Sequence, residues 1–263
     1  MSTVSVAEGV TVGRGQPLVL IAGPCVVEGD EVMFAAAARL VALAAAQRVP
    51  LIFKSSYEKD NRTIGEAYRG PGLERGLACL AALKARFGCP LLTDVHRPSD
   101  VAAAAQVVEV LQVPALLCRQ TTLLEAVGAA GRVVNLKKGQ FMSPVGLAGS
   151  VGKLRGAGAQ QVLVTERGNS FGYDRLVCDL AGLPELRALG CPVVVDAGHA
   201  SNAPGEIVPL ACAGVAAGAD ALFIECHPDP ANARSDDRRM LSLDQLEALL
   251  PRIVRIAEAV RLR

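Results

Sequence analysis

Eight short apolar runs recur along this 263-residue chain, and the repetition limits the folds that the chain can adopt. Stretches with apolar residues at helical spacings of three and four separate the runs. Strands that are apolar along their whole length are typical of a parallel sheet covered by helices. The runs are residues 18–25, 51–56, 91–96, 115–120, 133–138, 162–168, 193–199 and 222–227, and the helical stretches are residues 30–48, 72–87, 99–106, 122–130, 145–156, 176–189, 206–217 and 243–262.

The repeats predict an α/β fold, a single (β/α)8 TIM barrel with a short N-terminal hairpin. The chain length matches the roughly 250 residues of such a barrel, and no linker or break in composition divides residues 1–263. An open doubly wound sheet is the alternative, but eight uninterrupted repeats favour the closed barrel. Residues 4–16 are predicted to form the hairpin at the bottom of the barrel, and Ser242 is predicted to cap the last helix.

Composition and charge exclude several classes of partner. The formal net charge is +1, and no basic run interleaved with aromatic residues is present, so we expect no nucleic-acid surface. No apolar stretch approaches the ~20 residues needed to cross a bilayer, so we expect no membrane span. Eight cysteines without a secretory signal predict reduced thiols and a cytoplasmic location. Most fit core positions, but Cys25 follows Gly-Pro at the end of a run.

Cationic side chains follow the apolar runs, at ends that a barrel gathers on one rim. Lys54, Arg119, Lys137 and Arg167 end four runs, and Lys59 and Arg62 follow the second. One interpretation is a structural network of ion pairs with Asp94, Glu166 and Asp196. The other is a site for a substrate that carries phosphate and carboxylate groups, which guanidinium and ammonium groups bind well.

Four potential metal ligands lie near the closure of the predicted barrel. Cys25, His199 and Glu225 end the first, seventh and eighth runs, and Asp236 lies in the loop after the last. A thiolate, an imidazole and two carboxylates suit a divalent metal such as Zn, Fe or Mn. Each residue alone is more often structural, no compact ligand motif is present, and Asp237 is an alternative to Asp236.

Motifs stand in order along almost the whole chain. They are Ala-Gly-Pro-Cys at 22–25, Phe-Lys-Ser-Ser at 53–56, Lys-Asp-Asn-Arg at 59–62, Tyr-Arg-Gly-Pro-Gly at 68–72, Thr-Asp-Val-His at 93–96, Arg-Gln-Thr at 119–121, Asn-Leu-Lys-Lys-Gly-Gln-Phe at 135–141, Glu-Arg-Gly-Asn-Ser-Phe-Gly-Tyr-Asp at 166–174 and Glu-Cys-His-Pro-Asp-Pro at 225–230. In these motifs the chain resembles the 3-deoxy-D-manno-octulosonate 8-phosphate synthases, which belong to a superfamily that joins phosphoenolpyruvate to a phosphorylated aldose.

The resemblance implies an activity and a set of site residues. The activity is condensation of phosphoenolpyruvate with arabinose 5-phosphate, with release of phosphate, in lipopolysaccharide precursor synthesis by a homotetramer. Cysteine after Gly-Pro implies the metal-dependent class, with Zn, Fe or Mn held by Cys25, His199, Glu225 and Asp236. Phosphoenolpyruvate is expected at Lys54, Lys137, Gln140 and Arg167, the sugar phosphate at Asn61, Arg62 and Thr63 together with Arg119 of a neighbouring subunit, and the candidate catalytic residues are Lys59, Lys137 and His199.

Some positions depart from the family pattern. Residues 200–205 are shorter than the family's loop after the seventh strand, and Gly198 stands where threonine is usual. Thr63-Ile64 replaces Ser-Ser, and Asp237-Arg238-Arg239 replaces a stretch of small residues. These departures keep two alternatives open. One is a related synthase, such as one that makes 3-deoxy-D-arabino-heptulosonate 7-phosphate, and the other is a non-catalytic paralogue that binds a sugar phosphate.

Overall fold

A computed structural model describes residues 3–235 and 239–261, and its centre is a closed barrel of eight parallel strands. An N-terminal hairpin, β1 (Thr3–Ala7) and β2 (Val10–Gly13), precedes the barrel. A second small hairpin, β9 (Asn169–Phe171) and β10 (Arg175–Val177), follows the sixth barrel strand in the chain and forms a separate two-stranded sheet. The barrel strands are β3 (Val19–Gly23), β4 (Leu51–Lys54), β5 (Leu91–Asp94), β6 (Val110–Val113), β7 (Val133–Lys137), β8 (Val162–Glu166), β11 (Val193–Asp196) and β12 (Ala221–His227). Because β12 pairs with both β3 and β11, the sheet closes, and the predicted (β/α)8 barrel is confirmed.

Helices cover the outside of the barrel and bury their apolar faces against it. They are α1 (Asp30–Gln47), α2 (Leu73–Phe87), α3 (Pro98–Val107), α4 (Thr121–Gly128), α5 (Ala148–Gly156), α6 (Leu183–Ala188), α7 (Ala197–Ala200), α8 (Pro204–Ala216) and α9 (Leu243–Arg261). The predicted start of α9 is confirmed, because the Gln245 amide donates to Ser242 Oγ at 3.1 Å while Gln245 Oε1 accepts from the Ser242 amide at 2.8 Å. No described helix is long and apolar enough to cross a bilayer.

The N-terminal hairpin closes one end of the barrel, as predicted. Its alternate residues Val4, Val6, Val10 and Val12 are buried in one apolar cluster with the inward-facing side chains of the barrel strands. Phe223 of β12 belongs to the same cluster. A ligand must therefore enter the barrel from the other end, where the strands finish.

The fourth barrel strand was predicted in the wrong place. The run at 115–120 forms a short 3-10 helix, Ala115–Leu117, while the strand is Val110–Val113, directly before Pro114. Proline has no amide hydrogen, so the strand ladder cannot continue through it. Arg119 therefore does not end a strand.

The helix predicted over 176–189 is also wrong in its first half. Residues Arg175–Val177 form β10, which pairs with β9 across a turn at Gly172, whose φ is +74°. Only Leu183–Ala188 are helical, so Cys178, which had been expected within a helix, lies between the two elements. A periodic pattern of leucines and valines cannot distinguish a helix from a strand whose partner lies nearby in the chain.

Candidate active site

A cavity of about 520 Å³ opens at the end of the barrel where the strands finish. Five cationic residues line it: Lys59, Arg62, Lys137, Arg167 and Arg239. Among the described residues, Asp94 is the single carboxylate in the lining. His96 and His199 line it as well. Because positive charge exceeds negative charge in the wall, the cavity is suited to an anionic ligand.

Asp196 shapes the rim after β11 and binds two of the predicted catalytic residues. Its carboxylate caps the one-turn helix α7 by accepting the His199 amide at 2.9 Å. The same group accepts from Lys137 Nζ at 2.5 Å and lies 2.9 Å from His199 Nδ1. Burial alone would raise the pKa of Asp196, but His199 and Lys137 outweigh it and hold that pKa far below its usual range. Asp196 therefore stays ionised and fixes both side chains.

Lys137 is almost completely buried, yet it contributes to the cavity wall. Its ammonium lies 4.1 Å from the centre of the Phe223 ring, in addition to its ion pair with Asp196. Burial lowers the pKa of Lys137, opposed by the charges of Asp196 and Glu225. This places an ammonium with few water neighbours at the cavity, where electrostatic attraction for an anion is strong.

A second buried ion pair lies beneath the cavity, between β4 and β12. Lys54 Nζ donates to Glu225 Oε1 at 2.5 Å and to the Cys25 carbonyl at 2.8 Å. Burial alone would raise the pKa of Glu225, but Lys54 first, then His199 and Lys59, lower it well below its usual range. Lys54 lies behind the wall rather than in it, and its contact with substrate stays a prediction.

Lys59 lies on the loop after β4 and reaches back over the barrel. Its ammonium is 3.8 Å from Asp94 Oδ2 and 3.9 Å from Glu225 Oε1. His96 Nε2 lies 3.4 Å from Asp94, and Ser56 Oγ donates to the same carboxylate. Burial alone would raise the pKa of Asp94, but Lys59 and His96 outweigh burial and hold that pKa well below its usual range. This carboxylate is therefore ionised beside the cavity.

Arg167 is directed into the cavity by the turn after β8. Glu166 Oε1 accepts the Gly168 amide at 2.7 Å, and its second oxygen lies 3.2 Å from Lys138 Nζ. Glu166 and Lys138 thus pair on the outer side of the strands, while Arg167, only 5% exposed, lines the cavity. Gln140 lines it beside Arg167 and has a buried Oε1 without a described partner.

The mouth of the cavity is formed by loops. Asn61, Arg62 and Thr63, which follow β4, all line it, and their contact with a sugar phosphate stays a prediction. Arg62 also donates to Ser235 Oγ at 2.8 Å, which ties this loop to the one after β12. Arg119 is exposed and lies outside the cavity lining of its own chain, and its contact with the substrate of a neighbouring subunit stays a prediction.

Three of the four predicted metal ligands lie near one another at the closure of the barrel. Gly23 pairs with Glu225, which places Cys25 beside β12, and His199 Nε2 is 3.8 Å from Glu225 Oε2. That carboxylate oxygen is buried without a described hydrogen-bond partner. Cys25 Sγ lies 3.1 Å from Ser235 Oγ, and Asp236, the next residue, is outside the described residues.

These residues fit a divalent metal in part. The donor set and the unpaired Glu225 oxygen have the right chemistry for Zn, Fe or Mn. However, no group of three or more such side chains within residues 3–235 and 239–261 converges as a metal site requires.

The sequence reasoning missed the four remaining polar or charged residues of the described cavity lining: Asp94 and His96 as site residues, Gln112 and Arg239. Gln112 was missed because β6 had been placed too late in the chain; Asn135 Nδ2 donates to its side chain at 2.9 Å. Asp94 and His96 stand at the end of the apolar run at 91–96, and this position is the signal that could have identified them as site residues. Arg239 carried only one sequence signal, a charge in the loop after the last strand.

Comparisons with known proteins show the family of this chain. The chain is 46% identical to the 2-dehydro-3-deoxyphosphooctonate aldolase of a Cyanothece species over 99% of both chains. It is 47% identical to the aldolase of the same name from an Azoarcus species, over 97% of this chain and 96% of the relative. For the one from Desulfatibacillum aliphaticivorans the identity is 44%, over 98% of both. The model of the DAHP synthetase I family matches residues 1–261, and the chain belongs to that family.

Proposed function

We propose that this enzyme condenses phosphoenolpyruvate with arabinose 5-phosphate to give 3-deoxy-D-manno-octulosonate 8-phosphate and inorganic phosphate. The observation that carries the proposal is the cavity, in which five cationic residues face one carboxylate residue among those described. The relatives matched over nearly their whole length are named 2-dehydro-3-deoxyphosphooctonate aldolase. These names favour arabinose 5-phosphate as the aldose over erythrose 4-phosphate, the aldose of the heptulosonate synthases. The product is a precursor of lipopolysaccharide, and the absence of a disulfide among the eight cysteines, all of which the structure describes, is compatible with a reducing cytoplasm.

The buried cations supply a cradle for phosphoenolpyruvate. Lys137 and Arg167 are each 5% exposed and end neighbouring strands β7 and β8, with Gln140 between them in the chain. An arginine fork and a lysine point charge together match a phosphate and a carboxylate. Lys54 supports the cradle indirectly, because its ion pair holds Glu225 beside His199.

In the reaction, C3 of phosphoenolpyruvate attacks the aldehyde carbon of the sugar, water adds at C2, and the C2–O bond to phosphate breaks. The new alkoxide takes a proton, for which Lys59 is the candidate donor because it lines the cavity beside Asp94. Most of the catalysis comes from holding two mutually repelling anions together and stabilising the charge on the departing phosphate.

A divalent cation, Zn, Fe or Mn, is part of the proposal, with Cys25, His199, Glu225 and Asp236 as its ligands. Such an ion supplies a Lewis acid that polarises the aldehyde or orients the water. Glu225 Oε2, which is buried without a hydrogen-bond partner among the described residues and lies 3.8 Å from His199 Nε2, supports this assignment.

Replacing Cys25 by alanine is expected to yield protein with much less than one bound metal ion per chain, because the softest of the four ligands is lost. Elemental analysis of purified protein measures this without any assay of activity. Cys212→Ala is the matched control, since Cys212 is a buried cysteine of α8 in the apolar core, outside the cavity lining, and its loss should leave metal content unchanged. Wild-type metal content in Cys25→Ala protein would contradict the ligand assignment.

We also infer a homotetramer. The loops after β6, β7 and β8 expose several large apolar side chains to solvent, Leu116, Phe141, Val145, Phe171 and Val177. Exposed apolar residues that gather on one side of a rim are typical of an interface. Arg119 is exposed in the same region, which supports a contact with the substrate of a neighbouring subunit.

The experiment that tests the function is release of inorganic phosphate from phosphoenolpyruvate by purified protein, with arabinose 5-phosphate and erythrose 4-phosphate compared in parallel. We expect turnover with arabinose 5-phosphate at a kcat/KM at least tenfold above that with erythrose 4-phosphate. A preference for erythrose 4-phosphate would assign the heptulosonate reaction instead. No turnover with either sugar, with Mn²⁺ or Zn²⁺ added, would leave a non-catalytic binding protein.

A further inference from the structure

Arg239 lines the cavity and has no counter-ion among the residues that the structure describes. It is half-buried and lines the cavity mouth from the loop after β12. Three other cations of the lining have partners: Lys59 pairs with Asp94, Lys137 pairs with Asp196, and Arg62 donates to Ser235. Arg239 forms no ion pair with any residue in the described part of the chain. Within the described residues, no carboxylate neutralises its guanidinium, which lines the cavity and can pair there with an anion from solution.

The position of Arg239 at the cavity mouth indicates which substrate group it binds. The two deeply buried cations, Lys137 and Arg167, lie at the strand ends, whereas Arg62 and Arg239 are half-buried in mouth loops that Ser235 links. The aldehyde of a sugar phosphate must reach the deep cradle to react, so its phosphate, at the other end of the carbon chain, faces the mouth. We infer that Arg239 is a specificity-determining residue that binds the phosphate of the aldose substrate. This inference rests on the proposed function.

Gly198 makes room for Arg239. A Cβ at Gly198 would lie 2.6 Å from the backbone carbonyl oxygen of Arg239, closer than a real contact permits. Gly198 belongs to α7, directly before His199, and α8 begins at Pro204, so little chain separates the two helices on this side of the mouth. The absence of a side chain at Gly198 thus allows the loop after β12 to pack against α7 and to present Arg239 to the cavity.

The first experiment compares binding of arabinose 5-phosphate to wild-type, Arg239→Gln and Arg239→Lys protein by calorimetry, together with the KM for phosphoenolpyruvate. Loss of a charged contact to phosphate is expected to weaken sugar-phosphate binding at least tenfold in Arg239→Gln, and Arg239→Lys should recover part of it. The KM for phosphoenolpyruvate should change less than twofold. Arg252→Gln, on the exposed side of α9, is the control and should bind as wild type does.

Erythrose 4-phosphate is titrated in the same series, because a phosphate contact acts on either aldose. If turnover shows the wrong aldose, the proposed function fails while the binding comparison still tests Arg239. Unchanged sugar-phosphate binding in Arg239→Gln, or an equal loss for phosphoenolpyruvate, would overturn the inference. If the wild type binds neither sugar phosphate, the inference fails together with the function.

A second experiment tests the role of Gly198 as a positioning residue. Gly198→Ala should weaken sugar-phosphate binding in the wild type but add less than a twofold effect in the Arg239→Gln background, because the contact it disturbs is already gone. Equal effects of Gly198→Ala in both backgrounds would show that Gly198 acts by another route, such as a shift of His199.

Discussion

Lys137→Met is expected to lower kcat/KM by about 10²–10³-fold, the usual effect of removing one well-placed group that stabilises charge in the transition state. Lys137 combines three properties: it lines the cavity, it is nearly buried, and its Nζ is held 2.5 Å from Asp196. Methionine keeps the length and apolar packing of the side chain against Phe223 but removes the charge. Initial rates at varied phosphoenolpyruvate measure the loss, which should include a raised KM for that substrate.

The same substitution leaves Asp196 buried without one of its two partners, so it should also destabilise the fold, by up to about 3–5 kcal/mol. Lys138→Met separates the two effects. Lys138 is fully buried and pairs with buried Glu166, but it does not line the cavity. Its replacement should therefore destabilise the protein comparably in urea unfolding and lower kcat/KM by less than about tenfold. Equal losses of kcat/KM in both variants would show that stability, rather than contact with substrate, explains the first.

Much of the barrel was predictable because parallel strands that are buried on both faces consist of continuous apolar residues. The run at 133–138 and the strand Val133–Lys137 agree, as do those around β3, β4 and β8. The failures have physical causes. Strand β6 has only four residues and is followed by Pro114 and a second apolar run. The second run was predicted to be the strand, although it forms a 3-10 helix. Strand β10 depends on pairing with β9, a contact that helical spacing does not reveal.

Site residues at strand ends were predictable for the same reason, since the barrel fixes where each strand finishes. Lys137, Arg167 and His199 line the cavity as predicted. Residues on loops were harder, because loop direction depends on packing between distant segments. Arg239 reaches the cavity because Gly198 allows the Arg239 backbone to approach α7. A local sequence pattern does not reveal a contact between two segments so far apart in the chain. Arg119 was assigned to a strand end that does not exist.

Gly23→Ala is expected to destabilise the fold by about 3 kcal/mol or more, through steric overlap and an unfavourable backbone conformation. Gly23 ends β3 with a φ of +156°, and a Cβ there would lie 2.0 Å from the Lys54 carbonyl oxygen. The overlap is with backbone, so no side-chain rotation can relieve it. Strands β3 and β4 would have to separate at their ends. Thermal unfolding should show a melting temperature lower by roughly 6–12 °C for a chain of this size.

Gly149→Ala is the matched control for this substitution. Gly149 lies inside α5, and a Cβ there would meet nothing within 4 Å, so alanine should stabilise the protein by about 0.5–1 kcal/mol. The opposite signs test whether space, rather than loss of glycine itself, decides the outcome.

Gly23→Ala should also impair the site in protein that remains folded at low temperature. Lys54 Nζ reaches both the Cys25 carbonyl and Glu225 from the strand end that Gly23 contacts. Separation of the strands would lengthen these bonds and move Cys25 relative to Glu225, so both kcat and metal content should fall. Normal stability and activity in Gly23→Ala would mean that β3 and β4 do not approach as closely as this geometry requires. The glycine before Pro24 and Cys25 is therefore a steric condition for bringing Cys25 and Lys54 to one rim.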